Sequence, residues 1–141
     1  MLKLLPILMV FFCLTASAAD VEIHHATVRQ PLPGRDVSAG YFSITNHTNQ
    51  PLSIIEATSP WFGKIELHQH VVVDGMMRMQ QVTAIDVAPQ QTIHLQPGGL
   101  HLMMFNPKQT LPLGAQLPLE LKTADGKIFQ VAAIITRIPK Q

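Results

Sequence analysis

The chain has one cysteine, Cys13, and it falls in the first residues of the sequence. From Leu14 onward there is none, so a disulfide framework and a thiolate metal site are both excluded there. Charge is equally sparse. Ten Lys and Arg face nine Asp and Glu, with no block of like sign. A surface that neutralises many phosphates needs a basic stripe, so nucleic-acid binding is not expected. No segment sustains a helical period. No repeat, low-complexity tract or linker interrupts the chain. The only long apolar run is Leu4–Leu14, well short of the roughly 20 residues a membrane helix needs.

That run has a different reading. It follows Lys3 and precedes Ala16-Ser17-Ala18, and polar sequence begins at Ala19-Asp20. A positive start, a short apolar stretch and a small-x-small site describe a secretory signal peptide. Residues 1–18 are expected to be cleaved, with export to a compartment that permits disulfides. Residues 19–141 then form one domain with no membrane span, expected to be a monomer. Cys13 leaves with the signal, and no small-residue lipidation signal surrounds it.

The remaining chain alternates short apolar runs with turn residues. Ala26–Arg29, Tyr41–Thr45, Leu52–Ala57, Lys64–His70 and Met76–Val82 read as strands. Thr92–Leu95, His101–Phe105, Leu117–Thr123 and Lys127–Ile138 complete the set. Gln30–Gly34, Asn46–Asn49, Gln96–Gly99 and Ala124–Gly126 are turn compositions between them. About eight or nine short strands at this spacing predict an all-β Greek-key sandwich or barrel.

Soft-metal chemistry without cysteine must use methionine and histidine. Asp74-Gly75 between two strands predicts a tight hairpin. That register sets His70 opposite Met79 and position 68 opposite 81. Side chains alternate along a strand, so His68, His70 and Met79 share a face. His101 and Met103, two apart, project together from another strand. Neutral imidazoles and thioethers suit Cu(I), a soft monovalent ion, better than zinc, calcium or magnesium. The remaining residues of these types read as structural. Met76, Met77 and Met104 are expected in the core, and His24, His25, His47 and His94 at the surface or hydrogen-bonded.

The spacing His68, ten residues, Met79, twenty-one residues, His101-Leu102-Met103 resembles the H-x10-M-x21-H-x-M signature of the PCu(A)C family of periplasmic copper chaperones. Pro97-Gly98-Gly99 before His101 resembles that family's approach to its second ligand pair, Tyr41–Asn46 its early strand and Asp125-Gly126 its last hairpin. Gln69 stands where some members carry Met. The chain stops at Pro139-Lys140-Gln141 without a His/Met-rich extension, so no second copper site is expected there. The resemblance implies a cupredoxin-like β-sandwich or barrel and a shallow site in which His68, Met79, His101 and Met103 hold one Cu(I). The hairpin register leaves His70 as well placed as His68, so His70 stands as a reserve ligand, either hydrogen-bonding a ligand's ring or recruiting Cu(II), which tolerates more nitrogen and oxygen donors, as a secondary species. The resemblance further implies delivery toward the dinuclear CuA centre of cytochrome c oxidase, with a Sco-type protein as a second partner. A copper buffer or resistance protein with the same site fits the sequence as well. Blue-copper electron transfer, which needs a Cys thiolate, does not.

Overall fold

The computed structural model describes residues 19–139. The signal-peptide reading of residues 1–18, Cys13 included, lies outside the described residues. Ten strands and no helix make up the described chain. They are β1 (Val21–Arg29), β2 (Val37–Asn46), β3 (Leu52–Thr58), β4 (Phe62–Val73) and β5 (Met76–Gln81). β6 (Ile85–Val87), β7 (Thr92–His94), β8 (Leu100–Pro107), β9 (Gln116–Thr123) and β10 (Ile128–Thr136) follow. Hydrogen bonds link them in the order β5-β4-β8-β2-β1-β10-β9-β3-β6, with β7 also on β2. Only β1 and β10 pair in parallel. The sheet turns back on itself, so β3 packs across from β4 and one apolar interior forms between its two halves.

Period-two alternation builds that interior. Along β2, Ser38, Gly40, Phe42, Ile44 and Asn46 are buried while the residues between them are half-buried. Leu117, Leu119 and Leu121 do the same on β9, and Leu67, Leu102 and Met104 on β4 and β8. Gly40 lies opposite Leu102, and a Cβ there would stand 3.1 Å from the Met104 sulfur. The core is therefore closed tightly behind β8. Asn46 is fully buried, and its amide is satisfied locally. Its Nδ2 donates to the Gln50 carbonyl at 2.7 Å, and its Oδ1 accepts from the Thr48 amide at 3.0 Å.

The expected all-β sandwich is present, with two corrections to its strands. β6 was not expected. Three residues are too few to show a period, yet Ile85 and Val87 are buried and pair with Ile54 and Leu52. β1 begins at Val21, well before Ala26. A bulge between His24 and Thr27, with His25 at φ 53°, breaks the alternation and hides the first half of the strand. The Asp74-Gly75 hairpin is as the sequence predicts. Both residues take positive φ, 51° and 75°, as a two-residue primed turn requires.

Leu102 is fully buried between the two halves of the sheet, on the strand that carries His101 and Met103. Leu102→Ala should lower the free energy of unfolding by about 2–5 kcal/mol, the usual cost of such a cavity. Denaturant titration of the apo-protein checks this. A loss well under 1 kcal/mol would mean that the interior behind β8 is not close-packed.

Candidate metal centre

β4 is the axis of the site. It pairs with β5 on one side and β8 on the other, and both pairings are antiparallel and in register. His70 stands opposite Met79 and His68 opposite Gln81. Across the other edge, His68 stands opposite His101 and Glu66 opposite Met103. Directly opposed residues share a face. Glu66, His68, His70, Met79, His101 and Met103 therefore project from one face of the sheet, while Leu67, Leu102 and Met104 fill the core behind it.

Three imidazoles come together there. The ring centroids of His68 and His101 are 5.8 Å apart, and those of His70 and His101 are 5.1 Å apart. On the same face, Met79 and Met103 line one mostly apolar groove with Arg29, Arg35, Val37 and Ala39. Exposure differs sharply across the group. His101 is 3% exposed and Met79 55% exposed, so the imidazoles make a floor and the Met79 thioether a lip.

Hydrogen bonds orient two of the rings. His68 Nε2 donates to Glu66 Oε2 at 2.8 Å, which leaves Nδ1 as its lone-pair nitrogen. That Nδ1 is buried and has no partner. His101 Nδ1 donates to the Gly99 carbonyl at 3.0 Å, which leaves Nε2 with the lone pair. The same carbonyl accepts the His70 backbone amide at 3.3 Å. Gly98, at φ 81°, makes the turn that presents it. His70 Nδ1, like His68 Nδ1, is buried without a partner. Buried nitrogens are seldom left bare, so two in one cluster suit a metal-binding role.

The electrostatics keep the donors ready. Burial pushes the His101 pKa below the ordinary imidazole value, and the neighbouring His70 and His68 add to the effect against the pull of the Gly99 carbonyl. Hydrogen bonds from Lys64 and then His68 hold the Glu66 carboxyl below its usual range. Glu66 is therefore a carboxylate that fixes the tautomer and direction of His68, as carboxylates behind metal-bound imidazoles commonly do.

All four residues singled out by the spacing lie on this one face, as does His70. Glu66 and the Gly99 carbonyl were missed. Glu66 could have been found from its place two residues before His68 on the same strand; a backbone carbonyl leaves no such mark. Met104 is in the core as expected, but Met76 and Met77 are not. They directly follow the turn at the sheet's open edge, 57% and 65% exposed. Outside the cluster, His24 and His47 each lie 3.2 Å from Glu22, and His94 Nδ1 lies 2.7 Å from the Ser43 hydroxyl. Those three are surface and hydrogen-bonded, as expected.

Comparison with known proteins agrees with this architecture. The family model "Putative lipoprotein LpqE-like" matches residues 21–135. The "Putative lipoprotein Lxx21020" of Leifsonia xyli subsp. xyli is 28% identical over 116 residues, covering 82% of this chain and 69% of that protein. Among solved structures, Cu(I)-bound DR1885 from Deinococcus radiodurans superposes with a TM-score of 0.68 at 29% identity, covering 82% of this chain and 76% of that one. The copper-bound PCuAC domain of PmoF2 shares the fold, with a TM-score of 0.72 at 20% identity over 87% of this chain and 97% of that domain. The fold is thus the cupredoxin-like β-sandwich of PCuAC domains, and with the family model covering the sheet from β1 to β10, the chain belongs to the LpqE-like family, of PCuAC type.

Proposed function

We propose that the protein is a periplasmic copper chaperone, not an enzyme, and that it holds one Cu(I) through His68, Met79, His101 and Met103. The observation that carries this reading is the bare, buried Nδ1 of His68, oriented by Glu66 beside the neutral imidazole of His101, with both thioethers along the same groove. Two imidazoles and two thioethers are all neutral, so the bound site keeps only the ion's single charge. Soft sulfur favours Cu(I) over harder ions. The copper-bound relatives support the metal. The short N-terminal apolar run before Ala19 supports cleavage of residues 1–18 and a periplasmic address.

The exposure gradient suits transfer. An acceptor approaching the face meets the exposed Met79 first, while His101 stays seated in the sheet. Sulfur from the incoming protein can replace the Met79 thioether before the imidazoles let go, so copper is never free. The resemblance to the PCu(A)C family points to the CuA-bearing subunit of cytochrome c oxidase as the acceptor, with a Sco-type protein as a second partner. Copper transfer in vitro from the loaded protein to a CuA apo-domain separates a chaperone from a buffer. Retention of copper against that acceptor would favour the buffer.

The ligand set makes three predictions. Met79→Leu and Met103→Leu keep apolar volume and remove sulfur. Stability should change by less than about 1.5 kcal/mol, while Cu(I) affinity falls and X-ray absorption loses sulfur neighbours. A wild-type spectrum with only nitrogen and oxygen neighbours would exclude the thioether ligands. Glu66→Ala touches no proposed ligand atom but frees the His68 ring. Cu(I) affinity should fall by about 10–100-fold, the range for loss of an outer-shell partner; no change would remove Glu66 from the site.

The third concerns pH. A proton and the metal compete for the same imidazole nitrogen, whereas a thioether has no proton to lose. Protonation removes a ligand, so affinity rises with pH through the imidazole range and then levels off. Burial holds the His101 pKa below the ordinary imidazole value of about 6.5, so its nitrogen is free above that pH. Cu(I) affinity measured against a chromophoric chelator should be flat from about pH 7.5 to 9 and should fall by up to about tenfold per pH unit for each imidazole that takes a proton in acid. A climb through pH 8–9 would instead indicate a thiolate, whose pKa is about 8.5.

A further inference from the structure

Two of the three clustered imidazoles are tied down, and the third is not. Glu66 holds His68 and the Gly99 carbonyl holds His101. His70 is the nearer neighbour of His101, at 5.1 Å between ring centroids against 5.8 Å for His68. It lies directly across the hairpin from Met79. Its Nδ1 is buried and has neither a carboxylate nor a carbonyl to bond. The four-residue ligand set does not use this nitrogen, and packing alone does not call for a bare imidazole at that place.

We infer that His70 is a third imidazole donor, which joins His68 and His101 when the metal is Cu(II) and gives the site a second ligand set for the oxidised ion. The inference rests on the copper reading for the identity of the metal. The chemistry differs between the two oxidation states. Cu(I) is soft and well served by thioethers, whereas Cu(II) takes nitrogen and oxygen donors in a tetragonal arrangement. A site offering only two nitrogens would hold Cu(II) poorly; a third imidazole corrects that. Among the described residues no three His, Cys, Asp or Glu side chains already enclose a common point. His70 therefore joins by turning about its side-chain bonds. Its unanchored Nδ1 leaves the ring free to do so, while Glu66 and Gly99 hold the other two rings in place. The anchored pair then serves both oxidation states, and the loose ring serves the oxidised one.

Full mature protein, His70→Ala and His70→Gln are loaded with Cu(II) supplied as its glycine complex. Paramagnetic resonance with spin-echo modulation counts bound imidazoles, and competition titrations give the Cu(II) and Cu(I) affinities. The expected result is three imidazoles in the wild type and two in each variant. Cu(II) affinity should fall by about a hundredfold, at the upper end of what losing even an outer-shell partner costs, and Cu(I) affinity by less than about tenfold. The glutamine variant preserves bulk and polarity, so the same change in both variants excludes a packing effect. Two imidazoles in the wild type, or unchanged Cu(II) affinity in both variants, overturns the inference. Equal losses for both ions also overturn it, because His70 would then be a resident ligand. Failure of the chaperone reading looks different: wild-type protein that takes Cu(II) through three imidazoles but no Cu(I) upholds the role of His70 and refutes Cu(I) binding.

Discussion

Everything at the candidate centre depends on the register of β4 against its two neighbours. With His68 opposite His101 on one edge, and His70 opposite Met79 on the other, donors from three strands reach one face. A slip of one residue of β8 against β4 would turn a set of ligands into the core and a set of leucines out to water. The core therefore enforces the register. Leu67 faces Leu102 and Ile65 faces Met104 on the far side of the same pairing, and Leu102 and Met104 are fully buried there. Hydrophobic packing behind the sheet and donor convergence in front of it are one constraint seen from two sides.

Charge works within that frame at short range. Glu66 is an ionised carboxylate beside Lys64, so its negative charge is balanced on the surface side. Toward the site it acts through a single hydrogen bond to His68. His101 needs no carboxylate, because the Gly99 carbonyl fixes its tautomer and burial keeps it neutral. A second carboxylate here would favour protonated imidazole and a divalent metal. The arrangement presents lone pairs with little net charge, which suits a monovalent soft ion.

Much of this was legible in the sequence, for reasons that differ by element. The hairpin register was readable because Asp74 and Gly75 allow the positive φ angles of a two-residue turn, and such a turn leaves no freedom in the pairing beyond it. The face shared by His101 and Met103 followed from alternation alone. The pairing of β4 with β8 did not, since nothing local in either strand names its partner; only the resemblance brought the two ligand pairs together. The first half of β1 was hidden by the bulge at His25, and β6 by its shortness. Met76 and Met77 were misplaced because composition cannot tell a core methionine from one at an open hairpin end. The Gly99 carbonyl was invisible for a deeper reason: any residue supplies a carbonyl, and only the turn at Gly98 aims this one.

The contrast between floor and lip ties the fold to the proposed task. β8 lies between β4 and β2 within the sheet, and its side chains on the core side are fully buried, so His101 sits on a closely packed part of the structure. β5 pairs only with β4, at the end of the sheet, and every one of its residues is exposed. Local opening is easiest where few apolar contacts must break. Motion on this face is therefore concentrated at the strand that bears Met79, and the strand that bears His101 and Met103 stays put. A carrier needs this asymmetry. A site rigid on all sides would hold its ion against any acceptor, and one loose on all sides would release it to water. Placing one thioether on the edge strand and the remaining donors on packed strands lets a single ligand yield first, in the direction from which a partner arrives.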